Sequence, residues 1–154
     1  FCDSDDPSVN KEKSSLKASS VDIFDCEADK CIEQQIIADL PWDGVKELFH
    51  YALEVHYNND KAALIDSIKS KYLPTSDFPL DVLQADTTAI RDALALASIT
   101  SKKKSGTTKK REEWFKAIHH GEKLGDIAFK YLYEIEENGH LRKSLTALSD
   151  WIDS

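Results

Sequence analysis

VKELFHYALEVHYNND, Val45 to Asp60, decides the fold. Val45, Leu48, Phe49, Ala52, Val55 and His56 recur at spacings of three and four, which sets them along one stripe of a helix. Asp43 stands where an N-cap is expected, Asn58-Asn59-Asp60 ends the helix, and Asp60 can cap the next one. A stripe of this kind has to be buried against other elements, so the neighbouring segments settle the architecture.

They repeat the same period. Upstream, from Ser20, Phe24, Ala28, Cys31 or Ile32, Gln35 and Ile36 fall on one helical side, and Pro41 forces an exit after Leu40. Downstream, Leu64, Ile65, Ile68, Tyr72 and Leu73 form a third stripe that stops at Pro74. Pro74 and Pro79 leave room for a short turn before Asp86, with Leu80 and Leu83 as plugs. Thr87 or Thr88 then opens a helix whose narrow stripe, Ile90, Ala93, Leu94 and Ala97, suits close helix approach.

Trp114, Phe115 and Ile118 predict a fifth helix ending near His120 and Gly121, and Leu124, Ile127, Ala128, Tyr131, Leu132 and Ile135 a sixth. Asn138-Gly139 reads as the left-handed stop that follows a helix C-terminus. Leu141, Leu145, Leu148, Trp151 and Ile152 give a last helix, expected to dock through Trp151 and Ile152. No segment alternates apolar and polar residues long enough for a good strand, and five glycines are few for tight hairpins. The expected fold is all-α: an irregular antiparallel bundle of six or seven short helices over residues 20–154. Residues 1–19, polar and Ser-rich, read as a flexible N-terminal arm that cannot repay ordering by burial.

Charge is strongly segregated. SKKKSGTTKKRE, Ser101 to Glu112, holds Lys102, Lys103, Lys104, Lys109, Lys110 and Arg111; the chain carries a formal charge of −8, and without these six cations −14. Flexible cations of this kind either keep a connection soluble or steer an anionic partner in, raising the encounter rate while binding weakly. Such a loop, residues 101–111, needs a second, better-packed surface for affinity. Nucleic acid is disfavoured as the partner, because a pI near 5.1 contradicts the usual basic footprint. Trp114 and Phe115 beside the loop fall where helical period buries at least one, so they read as core before they read as base-stacking platforms.

The chain begins Phe1-Cys2 and contains no Met, which suggests a mature secreted chain after signal-peptide removal. Its cysteines, Cys2, Cys26 and Cys31, all lie in the first fifth, in keeping with one disulfide in an oxidising compartment. Residues five apart in a continuous helix have Cα atoms about 8 Å apart, beyond reach of a bridge. Either DCEADKC is a turn that lets Cys26 pair with Cys31, the arrangement adopted here, or Cys2 folds back onto one of them. No run of sequence is apolar and long enough to span a membrane.

Catalytic and metal chemistry find little footing. Among His50, His56, His119, His120 and His140, none are spaced three or four apart, as two ligands on one helix would be. There is no nucleophile elbow, no Cys–His signature and no Gly-rich phosphate loop, so no enzyme, cofactor or metal is expected. The expected function is a secreted, non-enzymatic helical protein that binds and modulates, by inhibition, an extracellular protein or anionic glycan. Factors that parasites or microbes deliver into a host share this profile. The alternative is a carrier of a small hydrophobic ligand such as a lipid, with Tyr51, Tyr57, Tyr72, Tyr131 and Tyr133 as polar handles. An apolar share of 41% leaves little surplus to line such a cavity.

Overall fold

Helix punctuation by Pro, Asn and Thr shapes the chain much as its periodicity suggests. The computed structural model describes residues 7–19, 22–27, 29–72, 83–100, 102–103, 110–111 and 113–153, with backbone alone at 7, 9–10, 70–72, 102–103 and 110–111. Among them run α1 (Pro7–Ala18), α2 (Ile32–Asp39), α3 (Trp42–Tyr57), α4 (Lys61–Tyr72) and α5 (Thr88–Ile99). Two short strands, β1 (Lys102–Lys103) and β2 (Lys110–Arg111), precede α6 (Ile118–Lys130), a 3-10 turn (Leu132–Glu134) and α7 (His140–Ile152). The fold is an all-α bundle in which α2 lies against α5 and α7, α3 against α4 and α6, and α4 against α5.

The stripe on α3 is the centre of the core. Val45, Leu48, Phe49 and Ala52 are essentially inaccessible and meet Ile37 and Leu40 of α2, Leu64 and Ile68 of α4, Ile90 and Leu94 of α5, and Leu124 and Ile127 of α6. Trp114 and Phe115 are buried with them, although from a turn and not from the helix expected there. Asn58 and Asn59 end α3 in the left-handed region, at φ 49° and 63°, conformations Asn tolerates better than most residues. Asp60 Oδ1 accepts from Ala63 N at 3.0 Å and Thr87 Oγ1 from Ile90 N at 3.3 Å, so both predicted caps are in place. Asp43 is not a cap. Helix α3 opens on Pro41, and Asp43 lies in its first turn, where its carboxylate pairs with Lys46 at 2.5 Å and complements the helix dipole.

Several expectations are corrected. Residues 7–18 of the supposed arm form α1, begun by Pro7 at the first helical position, where a proline costs no hydrogen bond. Lys13 provides its contact: the residue is buried, and its ammonium lies 3.4 Å from Asp25 Oδ2. A charged side chain with a long apolar stem thus buries surface that an apolar count misses. The helix expected from Ser20 starts instead at Ile32, after a turn in which Asp29 has φ 64°.

Gly121 does not break a helix. Residues 118–130 run through it as one helix, and Trp114 and Phe115 lie in the preceding turn. Gly139 is not a left-handed stop either: its φ is −57° and it begins α7. It is glycine for space, since a methyl there would lie 2.8 Å from Ile135 Cγ2 and 3.0 Å from the Glu136 carbonyl oxygen. Leu73, Pro74 and Leu80 lie outside the described residues, whereas Leu83 packs on the core and its carbonyl accepts from Trp42 Nε1 at 3.3 Å.

Candidate functional site

The basic segment is closed at its base by the core. Trp114 N donates to the Ser98 carbonyl of α5 at 2.8 Å, so the chain leaves and re-enters the bundle at one point. Between those residues β1 and β2 pair antiparallel, with Lys102 opposite Arg111 and Lys103 opposite Lys110. The sequence suggested a plain loop; the backbone instead places four of the six basic residues at two cross-strand positions. Like charges directly opposite on a ladder are destabilising, and an anion between them removes that cost. Lys104 and Lys109 lie outside the described residues. The nearest described carboxylate in sequence, Glu113, is taken by Lys116 at 3.1 Å.

A second surface was not anticipated. Trp151 and Ile152, expected to dock, are 56% and 68% exposed, and only Leu141 of α7 is fully buried. Ile152 lines, with Phe129 and Tyr133, 71% and 81% exposed, a groove of about 390 Å³ between α6, the 3-10 turn and α7. Leu132, Leu145 and Leu148 form its apolar floor, and Arg142 and Asp150 also line it. Arg142 is held there by its own hydrogen bond to the Ile135 carbonyl, 2.7 Å. Because α7 turns Leu141 inward against α2, the C-terminal part of its apolar stripe faces outward; periodicity alone cannot tell which part is covered.

Tertiary structure also assembles a histidine cluster. His56 of α3 and His120 of α6 have ring centroids 5.1 Å apart, His119 and His120 3.9 Å, and Tyr51 Oη lies 2.7 Å from His120 Nδ1. His56 Nε2 lies 2.9 Å from the Trp114 carbonyl oxygen, which only accepts, so the proton is on Nε2. Burial first, and then the charge of Glu54, push the Tyr51 hydroxyl above its ordinary range. Tyr51 therefore stays neutral and serves as a hydrogen-bonding strut between α3 and α6. Among the described residues no group of three or more His, Cys, Asp or Glu is arranged to hold a metal ion.

The remaining sequence candidates are scattered. Cys26 and Cys31 are both buried, and the turn between them is present, but no disulfide joins them. The Cys31 side chain is turned instead into the first turn of α2, toward the Gln34 backbone N–H, while Cys31 N donates to Gln34 Oε1 at 2.9 Å. Cys2 lies outside the described residues. The four tyrosines with described side chains are dispersed: Tyr57 is in the core, Tyr51 meets His120, Tyr131 donates to Glu47 at 3.1 Å, and Tyr133 faces solvent. The Tyr72 side chain is outside the described residues.

Among the described residues no helix is long and apolar enough to cross a membrane. Compared with known proteins, the chain matches no family model, no curated protein and no solved structure.

Proposed function

We propose that this is a non-enzymatic interaction protein, secreted, whose basic hairpin engages an anionic surface on an extracellular macromolecule and thereby inhibits or redirects it. The observation that supports this reading most directly is the register of β1 and β2, which sets Lys102 against Arg111 and Lys103 against Lys110. Four basic residues at two cross-strand positions make a local field that a partner's carboxylates or sulfates relieve. The rest of the chain, at −14, limits the attraction to that hairpin and orients the encounter. The clustered cysteines agree with an oxidising compartment.

The test replaces Lys102, Lys103, Lys104, Lys109, Lys110 and Arg111 by Ser or Gln and measures association rates with a sulfated glycan and with an acidic protein at low salt. A fall of about tenfold or more, abolished by salt, is expected for one of them. Unchanged rates with both overturn the reading.

A further inference from the structure

We infer that the groove between α6, the 3-10 turn and α7 is an interface for a second copy of this chain, the two α7 helices running antiparallel about a twofold axis. Three observations converge. First, Phe129, Tyr133 and Ile152 put large apolar area in solvent around a groove of about 390 Å³ on adjoining elements. A contiguous patch of this kind marks an interaction surface more often than scattered exposed side chains do.

Second, Gly125 stands inside α6, one turn before Phe129, and a methyl there would meet nothing within 4 Å. A helix-interior glycine weakens its helix relative to alanine. Nothing among the described residues comes close enough to require glycine at this position, whereas the backbone of a second helix passing close by would.

Third, the charges of α7 run against its dipole. Its first turn carries His140, Arg142 and Lys143, and its end carries Asp150 and Asp153, the reverse of what a lone helix favours. Arg142 and Asp150 both line the groove, eight residues and so about 12 Å apart along the helix. An antiparallel second copy sets Arg142 against Asp150 of the other chain, and the symmetry repeats the pair. Within its own chain Arg142 meets the Tyr133 and Ile135 carbonyls and approaches Glu137 at 4.0 Å; a second copy adds an acidic partner for it and a basic one for Asp150, and neither a basic peptide nor a lipid supplies both. Long-range repulsion between two chains of −8 is screened beyond about 8 Å at physiological ionic strength.

A dimer would carry two basic hairpins, and two weak ionic contacts on one particle bind with far higher avidity than one. The pairing itself stands whatever the hairpins bind.

Sedimentation velocity on the full chain, from nanomolar to high-micromolar concentration, is the test. The expected result is a reversible species of twice the 17.4 kDa chain mass. Asp150→Arg and the pair Phe129→Ser with Ile152→Ser should each weaken it about tenfold or more. Gly125→Leu should abolish it while leaving or raising helical circular dichroism, so a failure to dimerise is separable from a failure to fold. Wild-type protein that stays monomeric at every concentration overturns the inference, as does a dimer indifferent to all three changes. A monomer that releases a lipid-sized mass on denaturation in a native mass spectrum also overturns it and assigns the groove to a carried ligand.

Discussion

Asp39, the last residue of α2, caps α7: its Oδ2 accepts from Leu141 N at 2.6 Å across 102 residues of sequence. Leu141 is the second residue of α7, the position whose N–H an N-cap side chain ordinarily satisfies. The residue in the local cap position is Gly139, which has no side chain to do this, so a carboxylate from another helix supplies both acceptor and charge. The same Oδ2 accepts from Nε2 of the fully buried Gln35 at 3.1 Å.

Asp39→Ala should therefore lose the α7 cap and strand the Gln35 amide, costing about 2–3 kcal/mol in urea unfolding. Asp39→Asn, which keeps an acceptor without the charge, should recover part of that. Equal unfolding midpoints for wild type and Asp39→Ala would show that α7 is held by its apolar contacts alone.

Arg91 closes the same C-terminal end of α2 from another side. Its Nη1 donates to the carbonyls of Ile37, Ala38 and Leu40 at 2.8–3.0 Å, and the fork of Nε and Nη2 grips Asp86 at 2.6 and 2.8 Å. Lysine can supply the charge but not this planar geometry, so Arg91→Lys should cost about 1.5–3 kcal/mol despite keeping the cation. An unfolding free energy within error of wild type would rule out the geometric role.

The same pair makes stability pH-dependent. The hydrogen bond from Arg91, aided by its charge, holds the Asp86 carboxyl below the ordinary carboxylate range, with burial acting the other way. Lys130, joined by Tyr131, does the same to Glu47. A carboxyl with a depressed folded value contributes its stability above the unfolded value, near about 4, and loses it as pH falls through the folded value. Melting temperature should drop as pH falls below about 4. Asp86→Asn should melt lower at neutral pH and lose less on acidification. Parallel acid profiles for the two proteins would remove Asp86 from the account.

Two glycines should respond oppositely to alanine. At Gly121, inside α6, a methyl meets, among the described residues, only the Phe115 carbonyl oxygen at an ordinary 3.5 Å, so Gly121→Ala should stabilise by up to about 1 kcal/mol. At Gly139 the methyl would strike Ile135 and the Glu136 backbone, so Gly139→Ala should cost about 1–3 kcal/mol. Thermal melts of both variants check the contrast, and a destabilised Gly121→Ala would mean that α6 has less room at that point than the 3.5 Å contact implies.

Much of the helical framework is legible in single residues because its physics is local. Pro41 ends α2, Asn58 and Asn59 turn the chain, and Thr87 and Asp60 cap their helices through bonds three residues long. Trp114 and Phe115 were readable as core from their large apolar side chains, although they reach it from a turn and not from the helix their spacing suggested. What misled were residues whose meaning depends on a distant neighbour. Gly121 has the composition of a stop but lies in a continuous helix, and Lys13 looks like an arm residue until Asp25 reaches it.

The candidate sites divide in the same way. That six cations gather between two helices is a property of covalent order, as is the stripe that makes α7 amphipathic, since side-chain period and charge need no partner to be read. Which basic residues pair across β1 and β2, that His56 meets His120 from 64 residues away, and that Trp151 is left outside are decided only when the chain closes on itself. A stripe states that a face seeks burial; only the packing of the other helices determines how much of it is covered within the chain and how much remains for a partner.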